Sequence, residues 1–189
     1  VDSAIAFRVD NSEKMRIDDS GNVGIGTTSP DSFNSNARNL VVNSSGNTGI
    51  SIATTDTNAN SSLIFADGTG GTSGYRGAIR YKHNGDYMQF DTSTSEKMRI
   101  TSDGNVGIGT DSPGGRLNIQ SSAASTYLLN LDYADGTDGG GFYQASSTDL
   151  SLFLKNSSGT NTVTIATDGY SFFNGGNVGI GTTSPSEML

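Results

Sequence analysis

Side chains suited to acid–base chemistry are few in this sequence, and they are far apart. The only histidine, His83, stands in the sequence His-Asn-Gly-Asp, which is typical of a hairpin turn and predicts a solvated residue. The glutamates, Glu13, Glu96 and Glu187, all lie in or beside a repeated phrase, which favours structural roles for them. A glycosidase needs two carboxylates at one cleft, and nothing points to a nucleophile elbow. The sequence therefore predicts no catalytic residue and no enzyme.

Three aspartates provide the one candidate for a metal site. Asp132, Asp135 and Asp138 recur at regular spacing beside Gly136 and the run Gly139–Gly141. Calcium prefers clustered oxygen ligands from loops of this composition. The EF-hand spacing is absent, however, and Asp-Gly loops usually form without an ion. The prediction is no metal, with these three carboxylates as the minor alternative.

The sequence Gly24–Gly26 contains some of the glycines of a nucleotide-binding loop. The third glycine of the dinucleotide fingerprint is missing, because Ser29 occupies its place, and no helical pattern follows. No Gly-Lys-Ser/Thr sequence for a P-loop occurs either. These glycines predict a structural turn, and no cofactor is expected.

The same glycines belong to a phrase that the chain repeats. Gly-Asn-Val-Gly-Ile-Gly-Thr occurs at 21–27, 104–110 and 176–182, and each copy is followed by a Ser-Pro pair that contains one of the three prolines. The first two copies share the leader Ser-Glu-Lys-Met-Arg-Ile, at 12–17 and 95–100. Identity of this length predicts a repeat protein.

The repeat has the pattern of a β-hairpin. In the leader, Met15 and Ile17 alternate with Lys14 and Arg16 at the strand period of two, which predicts one apolar and one solvated face. Asp-Ser-Gly-Asn then supplies turn chemistry. The second copy follows the same pattern, and its Lys97 and Arg99 are likewise expected to face solvent.

The second strand of the hairpin has no side chains on one of its faces. Val23 and Ile25 alternate with Gly24 and Gly26. Such a strand is intrinsically weak, so the glycines predict that another backbone comes very close. The proline that follows ends the strand, because it cannot donate to a ladder.

The composition indicates an all-β chain that completes its core by oligomerisation. Hydrophobic residues are 32% of the total and Gly is 26 of 189 residues. Ordering a residue costs about 1–2 kcal/mol of backbone entropy, and a buried aliphatic side chain returns about 1.5–3 kcal/mol, so one isolated chain has too little core. No segment has helical periodicity.

The net charge of −8 argues against nucleic acid as a partner, and no apolar run predicts membrane insertion.

The repeats divide the chain into alternating segments. The predicted domains are shaft repeat 1 with its connecting strand (1–42), β module 1 (43–94), shaft repeat 2 (95–119), β module 2 (120–160) and shaft repeat 3, truncated (161–189). Both ends fall within repeat sequence, so we expect a segment of a longer polypeptide.

In module 1 the pattern predicts strands at Thr48–Ala53, Ser62–Ala66, Tyr75–Lys82 and Tyr87–Asp91. In module 2, Tyr127, Leu129, Leu131 and Tyr133 are expected to share a face, and a strand is expected at Tyr170–Phe173.

The phrase Gly-Asn-Val-Gly-Ile-Gly-Thr-Thr-Ser-Pro, followed by a Leu-containing strand, resembles the shaft repeats of bacteriophage tail fibre proteins. The sequences Leu-Ile-Phe-Ala-Asp-Gly and Gly-Ala-Ile-Arg-Tyr-Lys-His-Asn are similar to modules between such repeats, especially in phages of marine and cyanobacterial hosts. The resemblance covers nearly the whole chain. It implies an elongated homotrimeric fibre of repeated β-hairpins alternating with small β modules. Such a structural protein lies in the virion, outside the cell, and supports host recognition and adsorption.

The resemblance also implies where the three chains meet. It places the repeats around a common axis, with interchain packing at Met15, Ile17, Val23, Gly24, Ile25, Gly26, Met98, Ile100, Val106, Gly107, Ile108, Gly109, Val178, Gly179, Ile180 and Gly181. The implied partners are other copies of the chain, further virion tail proteins and, as a candidate, a host cell-surface glycan. Two alternatives stay open: a carbohydrate-binding or depolymerase segment of a tail spike, and the stalk of a bacterial trimeric surface adhesin.

Overall fold

The computed structural model describes residues 4–144, 146, 149–174 and 178, and in them the chain is all-β. Fifteen strands form three sheets, and the described residues contain two short 3₁₀ turns and no α-helix. The all-β prediction is confirmed. The chain divides into two compact units, Val1–Ala53 and Thr54–Leu189.

The first unit contains one sheet of four strands, in the order β1-β2-β3-β4. Its strands are β1 (Ile5–Val9), β2 (Ser12–Ile17), β3 (Val23–Ile25) and β4 (Leu40–Val42). β1, β2 and β3 pair antiparallel, whereas β4 lies parallel to β3. Asp10 and Asn11 form the two-residue turn after β1, with φ angles of 48° and 62°. Positive φ at both positions is the type I′ geometry, which matches the twist of paired strands.

The side chain of Asp18 fixes the turn between β2 and β3. One carboxylate oxygen accepts hydrogen bonds from the backbone N–H groups of Ser20 and Asn22, at 3.0 and 2.8 Å. The other accepts the side-chain amide of Asn22 at 2.9 Å. These bonds, above all that from the Asn22 amide, lower the pKa of the Asp18 carboxyl. Asn22 is buried, so its amide finds its partner within the turn.

The glycines of β3 leave room for the chain's own backbone. A Cβ at Gly24 would lie 2.8 Å from the carbonyl oxygen of Thr27 and 3.4 Å from Cδ of Pro30. Pro30 is fully buried and begins a 3₁₀ turn, Pro30–Ser32. The close approach predicted for these glycines therefore occurs within one chain, because the turn after β3 folds back over the strand.

The second unit contains a sheet of six strands in the order β10-β9-β8-β7-β6-β5. The strands are β5 (Asn60–Phe65), β6 (Gly77–Lys82), β7 (Tyr87–Thr92), β8 (Ser95–Ile100), β9 (Val106–Ile108) and β10 (Leu117–Ile119). All neighbours pair antiparallel except β10, which lies parallel to β9. Strands from the predicted module 43–94 and from the predicted repeat 95–119 thus share one sheet.

Strands β7–β10 repeat the arrangement of β1–β4, and we call each set of four strands a repeat cassette. Each cassette contains the same backbone hydrogen bonds. For example, Gly26 N–H donates to Lys14 O at 2.9 Å in the first, and Gly109 N–H donates to Lys97 O at 3.0 Å in the second. A Cβ at Gly107 would also lie only 2.5 Å from the carbonyl oxygen of its own chain's Thr110. The repeated sequence is therefore a repeated structure.

The third sheet is an antiparallel meander in the order β11-β12-β13-β14-β15. Its strands are β11 (Thr126–Asp132), β12 (Asp138–Gln144), β13 (Leu150–Lys155), β14 (Asn161–Ala166) and β15 (Phe172–Phe173). The register of β11 shifts between Tyr127 and Leu129, which pair with the adjacent residues Tyr143 and Phe142. The predicted shared face of Tyr127 and Leu129 is therefore wrong, because the extra residue, Leu128, moves them to opposite faces.

Three predicted strands differ from the observed ones. Thr48–Ala53 forms no strand, and none of its backbone groups bonds to the backbone of another described residue. The strand predicted at Tyr75–Lys82 begins at Gly77, because Gly71–Tyr75 forms a 3₁₀ turn. Only Phe172–Phe173 of the predicted Tyr170–Phe173 strand pairs with β14.

Substitution of Gly26 by Ala should destabilise the first cassette more than the same change at Gly21. Both residues have positive φ, +74° and +82°, which costs a Cβ-bearing residue about 1–2 kcal/mol. Only at Gly26 would the Cβ also clash, 2.0 Å from the carbonyl oxygen of Asn43. We expect losses in the free energy of unfolding of about 1 kcal/mol for Gly21→Ala and about 3 kcal/mol or more for Gly26→Ala. Urea unfolding measures both, and equal losses would contradict the clash.

Candidate assembly surface

One face of the first sheet is a continuous apolar surface. The strand register aligns one row of residues across the sheet, Ile5, Ile17, Val23 and Leu40, and a second row, Phe7, Met15, Ile25 and Val42. Neighbours in such rows lie on the same face. Ile5, Phe7 and Leu40 are 59%, 52% and 55% exposed, so no described part of the chain covers this face.

The second sheet has an equivalent apolar face. Its register aligns one row, Tyr81, Met88, Ile100, Val106 and Leu117, and a second row, Leu63, Ile79, Phe90, Met98, Ile108 and Ile119. Leu63 is 51% exposed and Leu117 is 61% exposed. The apolar rows of the cassette therefore continue into the strands of the preceding module.

The third sheet also has an apolar face. It consists of Leu129, Phe142, Leu152 and Ile165 in one row, and Leu131, Leu154, Val163 and Phe173 in the next. Most of these side chains are exposed by 40–60%. A cleft of about 280 Å³ connects this face with β10 inside the second unit, and it is lined by Leu117, Ile119, Leu128, Leu129, Phe142 and Leu150. In each of the three sheets, taken by itself, we call this apolar face the bare face.

The described residues bury apolar side chains on the opposite side of the sheets. Val41 pairs with Gly24 and is 7% exposed, and Ala78 pairs with Asp91 and is 3% exposed. Both alternate along their strands with residues of the bare face. The small core of the first two sheets therefore lies behind them, and the bare face contributes nothing to it.

Paired ions cover this opposite face in both cassettes. Arg16 donates two hydrogen bonds to the Glu13 carboxylate, at 2.6 and 3.0 Å, and Arg99 makes the same pair of bonds with Glu96. The bonds from Arg16 lower the pKa of Glu13, and those to Glu96 raise the pKa of Arg99. The guanidinium of Arg99 also lies 4.3 Å from the centre of the Tyr87 ring. These contacts hold the arginine and glutamate side chains of the leader flat against the side of the sheet opposite the bare face.

The expectation that both arginines are solvated is wrong. They lie on the face opposite Met15 and Met98, as the alternation predicts, but each side chain is only 15% exposed. The cause is the glutamate three residues earlier, whose carboxylate holds the guanidinium against the sheet. Lys14 and Lys97 remain exposed.

A second charged network in the six-stranded sheet was not predicted from the sequence. Asp91 is 7% exposed, and its two carboxylate oxygens accept hydrogen bonds from Arg80 and Gln89, each at 2.6 Å. Arg80 and Gln89 are cross-strand partners. The alternation of charged with apolar residues in both strands was a usable signal, but only the register shows that these three side chains meet.

The three aspartates of the metal hypothesis have separate partners. Asp132 accepts a hydrogen bond from Asn130, and Asp135 accepts bonds from Thr137. Asp138 binds Lys155, and it also accepts the Tyr127 hydroxyl at 2.8 Å. Among the described residues, no three His, Asp or Glu side chains are grouped closely enough to hold a metal ion. The structure therefore does not bring these three carboxylates together as a metal site.

The single histidine of the sequence, His83, also lies close to a polar side chain. Its Nε2 lies 3.1 Å from Oγ of Ser61, and its ring meets the Tyr81 ring edge-on at 5.0 Å. His83 lies in the turn between β6 and β7, as predicted, but it is half-buried rather than fully solvated. No carboxylate in the described part of the chain orients the imidazole, so the pair lacks the third member of a catalytic triad.

The structure places twelve of the predicted interchain residues in definite positions. Met15, Ile17, Val23, Ile25, Met98, Ile100, Val106 and Ile108 all belong to the bare face, and Gly24 and Gly107 face the turns of their own chain. Gly26 and Gly109 lie against the carbonyl groups of Asn43 and Gln120. In the third copy, Val178 is described but lies in no strand, and Gly179, Ile180 and Gly181 lie outside the described residues.

No family model matches the chain, and no curated protein has detectable sequence similarity to it. Within the described ranges, no helix has the length and apolar character that crossing a membrane requires.

Acid should destabilise the third sheet through Asp138. The hydrogen bond from Lys155, followed by that from Tyr127, lowers the pKa of this carboxyl in the folded chain. A lowered pKa contributes stability above the unfolded value, about 3.9, and this stability is lost as the pH falls through the folded value. The urea midpoint should therefore be steady from about pH 7 to pH 5 and fall below about pH 4. Asp138→Asn should reduce that fall, whereas Asp31→Asn, at an exposed turn, should leave it unchanged.

Proposed function

We propose that the chain is a structural, non-enzymatic segment of a phage tail fibre that assembles as a homotrimer. The observation that carries the proposal is the bare face, which is apolar in every sheet and which no described part of the chain covers. The resemblance of the repeats to tail fibre shafts supplies the number of chains and the virion location. The segment acts mechanically. Burial of apolar side chains between chains stiffens a shaft that supports host recognition and adsorption.

The surface area supports association. On the apolar faces of the sheets, several large side chains are more than half exposed: Ile5, Leu40, Leu63, Leu117, Leu131 and Phe173. An exposed apolar surface of this extent is typical of an interaction site. Association with other copies is the simplest way for this chain to bury it.

The two faces of the cassette suit this role differently. On one face, the turn after β3, the ion pairs and Pro30 leave no large apolar area in contact with water. On the bare face, the Met, Ile and Val side chains of the cassette stand in rows with regular cross-strand spacing. Regular rows can pack against the same rows of another copy, which is what a symmetric assembly requires. The glycines contribute indirectly, because they allow the turn to seal the other face.

Replacing Ile25 by Lys should prevent assembly while the fold is retained. Ile25 belongs to the bare face and is 39% exposed, so the folded chain can accept the charge. In a homotrimer the change removes three buried Ile side chains, worth about 1.5–3 kcal/mol each, which weakens association by at least about a hundredfold. Sedimentation equilibrium should give the trimer mass for the wild type and the mass of one chain for Ile25→Lys, with unchanged circular dichroism.

Ser20→Lys is the matched control for this experiment. Ser20 is exposed in the turn next to β3. A lysine there adds the same charge at a site away from the bare face. It should sediment as the wild type does. The proposal fails if the wild type is a well-folded monomer, or if Ile25→Lys assembles as strongly as Ser20→Lys.

A further inference from the structure

Every methionine in the described part of the chain belongs to the bare face of its sheet. Met15 lies in the second row of the first sheet, and Met88 and Met98 lie in the two rows of the six-stranded sheet. The fourth methionine of the sequence, Met188, lies outside the described residues. Met15 and Met98 hold the same position in the two cassettes, so the repeat places a thioether at the same point of each apolar face.

The strand pairing around these methionines follows one pattern. Each has an aromatic cross-strand partner on one side and an isoleucine on the other: Phe7 and Ile25 for Met15, Phe90 and Ile108 for Met98, and Tyr81 and Ile100 for Met88. The thioether is soft and packs favourably beside aromatic rings, which suits it to an apolar contact. All three methionines are half-buried in the single chain, so part of each residue is open to solvent.

We infer that Met15, Met88 and Met98 form a modification site at which oxidation controls assembly. The inference rests on the self-assembly proposed above and specifies how its surface is switched off. In an unassembled chain, the Sδ lone pair attacks one oxygen of hydrogen peroxide, the O–O bond breaks and an S–O bond forms. The thioether is oxidised by two electrons to a sulfoxide. The departing hydroxide takes the proton from the transferred oxygen and becomes water.

A sulfoxide on the bare face opposes association between chains. Its S–O group is polar, whereas Phe7, Ile25 and their equivalents in the second cassette have no side-chain hydrogen-bond donor. Burying such a group without a hydrogen bond weakens association by about tenfold or more. Assembly has the converse effect, because burial between chains keeps peroxide away from the thioethers. Oxidation therefore traps single chains, and completed assemblies resist it.

The composition of the chain makes this inference testable with hydrogen peroxide. The chain contains no Cys and no Trp, so its methionines are the side chains that peroxide oxidises most readily. The wild type would be unfolded in urea, oxidised and refolded without peroxide, beside a sample refolded without oxidation. The oxidised chain should sediment at the mass of one chain with unchanged circular dichroism. Reduction by methionine sulfoxide reductases and a thiol should restore the mass of the untreated assembly.

The triple variant Met15→Leu/Met88→Leu/Met98→Leu is the matched control. It keeps Met188 and nearly conserves side-chain volume, so it should assemble after the same treatment. A second measurement uses the folded wild type in dilute peroxide and needs no triple variant. Peptide mass spectrometry should find Met88 and Met98 oxidised about tenfold or more slowly than in Ile25→Lys, because only unassembled chains react.

The outcomes separate this inference from the proposed function. The inference is overturned if oxidised wild-type chains assemble, lose their fold or stay single after reduction, or if the two oxidation rates are equal. Loss of assembly on oxidation of the triple variant also overturns it. In each of these cases an untreated wild type that assembles leaves the proposed function standing. A well-folded monomer of the untreated wild type defeats both.

Discussion

A β-sheet has two faces, and in each repeat cassette the chain's own turn covers only one of them. The turn can do so because Gly24 and Gly107 have no Cβ where the carbonyl groups of Thr27 and Thr110 approach. The two apolar rows of the cassette therefore lie on the other face. Ordering each residue costs about 1–2 kcal/mol, and the few buried side chains behind the sheet return little of this. Burial of the bare face in an assembly would therefore add to the stability of the fold.

Charged side chains lie on the side of the sheets opposite the bare face, where they pair with one another. The bidentate contacts of Arg16 with Glu13 and of Arg99 with Glu96 join residues on the same strand, where they fix side chains against the sheet. The Asp91 network instead joins β6 to β7 and so links the module to the cassette. Buried charges of this kind are costly to leave unpaired. They therefore favour one strand register and one choice of outward face.

The sequence was sufficient for those parts of the fold that local patterns determine. The strands Leu40–Val42 and Leu117–Ile119 and the hairpins of both repeats are where alternation and turn residues predict them. The Leu128 bulge was not predictable, because one extra residue in a strand of Leu and Tyr leaves no mark on alternation. Thr48–Ala53 was predicted as a strand because a sequence shows strand propensity but not whether a partner strand is available. The polar contacts of Asp91 and Asp138 depend on register, which only three-dimensional pairing supplies.

The parallel pairing of β4 with β3 has a consequence for how such a chain can grow. Because β1 and β3 both run antiparallel to β2, the strands β1, β3 and β4 all point the same way, as do β7, β9 and β10. A polypeptide thus enters a cassette and leaves it with its direction unchanged. A cassette can therefore be duplicated or deleted in the gene without reversing the direction in which the chain leaves it, so length can evolve by whole copies.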